Sequence, residues 1–186
     1  PKAMRVAIEK ARATGIGVVT MRKGRHLGMA SYHAMLALES DMIGVCMTAV
    51  NPWVPPVFGR EPRLGTNPIA VAVPSGGSHP FVLDISTSVV PVNRLRQEQR
   101  FNSLVPGGWI ADGDGTPIME PGVLPEQYSI LPLGSISQQG SHKGYGLGCV
   151  VEILCGVLSG GGYAMMLERG QAQHMVTAYN IESFVP

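Results

Sequence analysis

His26 is the first side chain in this sequence suited to moving a proton near neutral pH. Imidazole titrates close to physiological pH, so one histidine can act as both acid and base. It stands in Arg25-His-Leu-Gly-Met29, after an apolar run and before a helix-forming one. Ligands of α/β folds bind at such strand ends, and a following helix N-terminus offers free N–H groups to an anion. A second cluster is Gly59-Arg-Glu-Pro-Arg-Leu-Gly-Thr-Asn-Pro68. Its two arginines suit a carboxylate or phosphate. Thr66 and Asn67 can hydrogen-bond a small polar substrate, or the loop is tied down by its own side chains, the better reading for Asn67-Pro68 alone. Asp84 closes an apolar run ahead of Ile85, Ser86, Thr87 and Ser88. Its carboxylate can receive ribose hydroxyls or cap the next helix. His142-Lys-Gly-Tyr-Gly-Leu147 precedes an apolar helix, and Lys143 makes a positive corner there. His33 reads as structural, and His79 and His174 as solvated.

Other chemistries lack their signatures. There is no P-loop, and Gly144-Tyr-Gly-Leu-Gly148 has the wrong spacing for a Rossmann fingerprint. No paired-histidine metal motif and no Gly-x-Ser-x-Gly nucleophile elbow occurs. Cys46, Cys149 and Cys155 are odd in number, without metal spacing. They read as buried thiols of a reducing cytoplasm.

Of the 186 residues 45% are hydrophobic and 15% charged, enough for a core and too apolar for disorder. Fourteen Lys and Arg against thirteen Asp and Glu leave a net charge of +1, so neither a nucleic acid nor a membrane surface is an expected partner. The longest apolar stretch, Leu147 to Leu158, is short of a membrane span and holds Glu152. The first residue is Pro, and the last segment looks like the opening of another element, so the chain reads as part of something longer.

Periodicity supplies the elements that must position these residues. Met4, Ala7, Ile8 and Ala11 predict a helix over 2–14, stopped by Gly15. Strands are expected at 16–21 and 43–48 around a helix at 30–40, an order that suggests a crossover unit. Runs at 69–73 and 81–85 predict a hairpin. Helices follow at 92–101 and 144–159, then a last strand at 174–179. The sum is an α/β fold with a mixed, partly antiparallel sheet flanked by helices.

Five segments, in order, resemble the malate/L-lactate dehydrogenase family of the non-Rossmann type. They are Gly15-Ile-Gly-Val-Val19 with His26-Leu-Gly28, the Gly59–Pro68 loop, Phe81-Val-Leu-Asp-Ile-Ser-Thr-Ser88, Leu131-Pro-Leu-Gly134, and His142-Lys-Gly-Tyr-Gly-Leu147. That family also holds ureidoglycolate, sulfolactate and 2,3-diketogulonate oxidoreductases and cyclic imino-acid reductases. The resemblance implies an L-sulfolactate dehydrogenase-like fold. It implies an NAD- or NADP-dependent enzyme moving a hydride between nicotinamide and a 2-hydroxy or 2-oxo acid, and a homodimer. His26 would be the acid/base and Thr66 a substrate contact. Gly28, Asp84, Ile85, Ser86, His142 and Lys143 would hold the cofactor. Residues 1–186 would be the central cofactor-binding domain. The alternatives are a fragment that binds cofactor without turnover, and a cyclic imino-acid reductase. Arg94, where some imine reducers carry Asp, weighs against the latter. The family's substrate-holding N-terminal segment and its C-terminal segment have no counterpart here, and Ser135 to Ser141 is an insertion.

Overall fold

Met4, Ala7, Ile8 and Ala11 form the buried stripe of helix α1 (Lys2–Thr14), as their spacing demands. The computed structural model describes residues 1–185. After α1 come β1 (Ile16–Gly24), α2 (Ala30–Met35), β2 (Met42–Val50), β3 (Ile69–Val73) and β4 (Phe81–Ile85). Then follow α3 (Val92–Phe101), the two-residue strands β5 (Ile110–Ala111) and β6 (Ser129–Ile130), α4 (Ser141–Val151) and β7 (Ala172–Asn180).

The main sheet has the order β1-β7-β2-β3-β4, and every ladder is antiparallel. Strands β1 and β2 run in the same direction, as a crossover requires, but β7 is inserted between them. The parallel neighbours a crossover suggests therefore never pair. Nothing in local sequence announces that the last strand will occupy the slot. The β3–β4 hairpin has the residue boundaries that its apolar runs predict.

Helices α1 and α2 cover one face of the sheet. Their core joins Ala7, Ala11, Ala30 and Ala34 to Cys46, Ala70, Ala72, Val176 and Ala178. The small side chains let helix backbone approach strand backbone. A Cβ on Gly17 would lie 1.8 Å from the Ala7 carbonyl oxygen, and one on Gly44 2.0 Å from that of Ala34. The other face is covered by α4 and its continuation, where Val151 and Cys155 meet Ala49 and Met175. A third cluster, with Val54, Leu95, Val105, Ile110 and Ile130, forms where the Pro-rich loop, α3 and the β5–β6 ribbon pack together.

Two helices differ from expectation. Residues 30–40 divide into α2 and a 3₁₀ turn at Leu38–Ser40. The long apolar helix starts three residues early, at Ser141, because Gly140 takes a left-handed φ of 89° ahead of its first turn. It then widens to a π-helical turn over Glu152–Val157. Among the described residues no helix is long and apolar enough to cross a membrane, and no group of His, Cys, Asp and Glu is arranged to hold a metal.

Candidate active site

The turn that follows β1 borders a cleft of about 280 Å³. The cleft is lined by His26, Leu27 and Gly28 from the β1–α2 turn, by Thr48 and Val50 of β2, and by Thr66 from the Arg-rich loop. Asn93 and Arg96 of α3 and Gly170 and Gln171 ahead of β7 also line it. Three residues expected from sequence, His26, Gly28 and Thr66, are thus brought together from positions 40 residues apart.

His26 is exposed to the cleft. Its Nδ1 accepts a 3.0 Å hydrogen bond from the Gly28 N–H. The neutral ring therefore carries its proton on Nε2. Gly28 makes this turn at φ 86°, and a side chain there would meet nothing within 4 Å, so the backbone is open to an approaching ligand. The Thr66 carbonyl receives the Thr87 N–H at 3.0 Å, which fixes its backbone. Arg96 is the only permanently charged side chain in the lining, and its guanidinium reaches Asn93 at 3.4 Å.

Asp84, Ile85, Ser86, His142 and Lys143 lie outside this cleft. Asp84 caps a helix, but not the next one. Its Oδ2 accepts the Ser31 N–H of α2 at 2.8 Å. Ser86 Oγ donates to the Ser88 carbonyl at 2.8 Å. Downstream of β4 the Thr87 carbonyl accepts the Leu133 N–H at 2.9 Å. The Leu133 backbone in turn lies against Gly144 of α4, 2.2 Å from where a Cβ would be. The end of β4 and the first turn of α4 are thus joined through one strand-like segment.

His142 and Lys143 are inside that first turn, exposed, rather than ahead of the helix. Two of the turn's backbone donors are occupied, Ser141 N–H by the Ile136 carbonyl and Lys143 N–H by the Gly140 carbonyl. The positive character of the corner rests mainly on the Lys143 ammonium.

Asn67 ties its loop down, as the Asn-Pro step suggests, by anchoring it to α4 with its continuation and to the end of β2. It is fully buried at φ 32°. Its amide donates to Glu152 Oε2 at 2.8 Å and to the Gly148 carbonyl at 3.1 Å, and accepts from the Val50 N–H at 3.2 Å. Glu152 also takes the Ala164 N–H at 2.8 Å. Burial raises the proton affinity of Glu152, and these hydrogen bonds oppose the rise. A single acidic residue in an apolar run was the only sequence signal for this junction.

His174 is not solvated. It lies on an interior strand, 5% exposed, with Nδ1 3.0 Å from Thr48 Oγ1 and Nε2 3.1 Å from the Arg25 carbonyl. Burial lowers its proton affinity; the Arg25 hydrogen bond acts the other way. His33 is structural, its Nε2 3.1 Å from the Leu27 carbonyl, and His79 is exposed. Burial pushes the thiols of Cys46 and Cys155 up to about 12, which leaves them unreactive.

Known proteins carry the same architecture. Malate dehydrogenase from Pyrococcus abyssi is 44% identical over 191 residues, covering all of this chain and 52% of that protein. The crystal structure of malate dehydrogenase from Entamoeba histolytica superposes with a TM-score of 0.90 at 34% identity, over 100% of this chain and 55% of that one. Sulfolactate dehydrogenase from Methanocaldococcus jannaschii gives a TM-score of 0.79 at 36% identity, over 99% of this chain and 53% of that one. The chain spans about half the length of the curated relatives it matches. The sequence profile described as malate/L-lactate dehydrogenase matches residues 1–186, and the chain belongs to that family.

Proposed function

We propose that this chain is the core of an NAD(P)-dependent oxidoreductase acting on a small 2-hydroxy or 2-oxo acid of the malate or lactate type. The observation that carries the reading is the convergence of His26, Gly28 and Thr66 on one cleft whose only fixed charge is Arg96. A 2-oxo acid presents a carboxylate and a carbonyl. Arg96 would hold the first and His26 Nε2–H would hydrogen-bond the second. Thr66 would orient the substrate.

The residues present fit a nicotinamide dinucleotide. Gly28 leaves its backbone open beside the cleft, and Lys143 offers an ammonium at the first turn of α4. Asp84 has one carboxylate oxygen on Ser31, which leaves Oδ1 for a ribose hydroxyl. Ile85, Ser86 and His142 would line the same path. When bound, the nicotinamide supplies or accepts the hydride. His26 then exchanges the hydroxyl proton at Nε2. For a full transfer Nδ1 must keep a proton of its own, so the Gly28 N–H must turn away from it.

The domain would complete its site with further chain and a second subunit in a cytoplasmic homodimer. A second reading, cofactor binding without turnover, has one observation behind it: His26 Nδ1 is committed to Gly28, the form that does not shuttle a proton.

Titration of the natural full-length polypeptide with NADH and NADPH, followed by nicotinamide fluorescence, tests the cofactor. His26→Ala tests the acid/base. Turnover should fall by about 10²–10⁴-fold with dinucleotide affinity unchanged. Wild-type turnover in that variant sinks the assignment.

A further inference from the structure

His174 makes two hydrogen bonds whose directions can be read from chemistry alone. The Arg25 carbonyl oxygen can only accept, so His174 Nε2, 3.1 Å away, carries a proton. In the neutral ring Nδ1 is then bare. It accepts the Thr48 hydroxyl proton over 3.0 Å. Thr48 is the register partner of His174 across β2 and β7, so strand pairing sets that contact, while the Arg25 carbonyl lies one residue past the end of β1.

The Arg25 carbonyl belongs to the peptide that leads into His26. β1 loses regular register between Met21 and Gly24, and Lys23 turns at φ 56° with its N–H on Gln173 Oε1 at 2.9 Å. Beyond that point the His174 hydrogen bond holds the carbonyl before His26, and His33 Nε2 holds the Leu27 carbonyl after it at 3.1 Å. Gly24 leaves the room the ring needs: a Cβ there would lie 2.6 Å from His174 Nε2.

We propose that His174 is a positioning residue for His26, aiming the His26 imidazole into the cleft by donating from Nε2 to the Arg25 carbonyl while the Thr48 hydroxyl donates to Nδ1 and holds the ring in place. This rests on the acid/base reading of His26. It adds that the geometry of the reacting imidazole is set by a second, buried histidine that never meets substrate.

The experiment uses the full-length polypeptide, oxidising L-malate with whichever dinucleotide it binds. His174→Leu should lower kcat by roughly 10–100-fold, as a misplacement of about 1 Å does, with the KM for the dinucleotide little changed. His174→Gln places an amide N–H where Nε2 stood and should recover most of the loss. His174→Asn reaches only the Thr48 side and should not. Gly24→Ala removes no hydrogen-bonding group but displaces the ring, and should resemble His174→Leu. Ring ¹⁵N shifts give a reading independent of turnover. His174 should be neutral and protonated on Nε2 at pH 7 in the unsubstituted protein. Wild-type kcat in a folded His174→Leu, equal recovery by Gln and Asn, or an Nδ1–H tautomer overturns the proposal. His26→Ala is the control. Full turnover there removes the acid/base reading and this inference with it, whereas lost turnover there beside an unaffected His174→Leu overturns the inference alone.

Discussion

Asp84, the fourth residue of β4, accepts the backbone N–H of Ser31 at 2.8 Å across 53 residues of sequence. It supplies α2 with the cap that Met29, its own N-terminal neighbour, lacks the side chain to give. This ties the helix behind His26 to the strand whose end is the proposed cofactor path. Asp84→Ala should cost about 1 kcal/mol in urea unfolding, the usual value of a lost cap. The same variant should weaken dinucleotide binding. Unchanged affinity beside lost stability would leave Asp84 as a cap only.

Lys143 is the exposed cation of the first turn of α4, where two backbone donors, those of Ser141 and Lys143, are already occupied. Lys143→Ala should weaken NADH or NADPH binding roughly tenfold, the scale of one charge-assisted contact at an open site. The loss should shrink with added salt. An unaltered dissociation constant removes Lys143 from the site.

Asn67 joins the substrate loop to the buried carboxylate of Glu152. Asn67→Ala leaves one carboxylate oxygen without that donor, a cost of about 1–3 kcal/mol. The Asn67 amide favours the ionised form of Glu152, so its removal raises the carboxyl's proton affinity further above the ordinary 4.5. A raised carboxyl prefers the folded state protonated, so its contribution to stability falls as pH rises from about 4.5 through the folded value. Urea midpoints should show the variant's deficit widening toward neutral pH. A deficit independent of pH would mean that Glu152 does not feel the amide.

The proton affinity of His174 is depressed, first by burial. The unfolded chain takes a proton near the ordinary value of 6.5 while the folded chain stays neutral. The stability this gives is present above 6.5 and is lost as pH falls from there through the folded value. His174→Gln should flatten the acid side of the stability profile, measured by urea unfolding from neutral pH to about pH 5. A slope identical to that of the unsubstituted protein would contradict the buried, neutral ring.

What the sequence made legible divides along physical lines. The stripe of α1 and the limits of the β3–β4 hairpin follow from period and turn residues, which are local. His26, Gly28 and Thr66 are separated in sequence, and their meeting was legible only through family resemblance. The burial of His174 depends on β7 being inserted between β1 and β2, and strand order is not encoded in any window of residues. The role of Glu152 was hidden for the same reason, since its partners Asn67 and Ala164 come from loops that fold back on the helix. Residues that grip the backbone around a site carry no motif.

The position of β7 bears on how the chain comes to be folded. Strands β1 and β2 both need residues 172–180 between them, and these are made more than 120 residues after β2. During synthesis from the N-terminus two strands must wait with unsatisfied edges. An open slot of that kind invites pairing with another chain. Contacts so distant in sequence also make for slow closure. A ribosome-bound chain stopped before residue 172 should be sensitive to protease and prone to associate with its neighbours. The same chain extended past residue 180 and clear of the exit tunnel should close in one step, because the strand that arrives last seats the loop bearing His26.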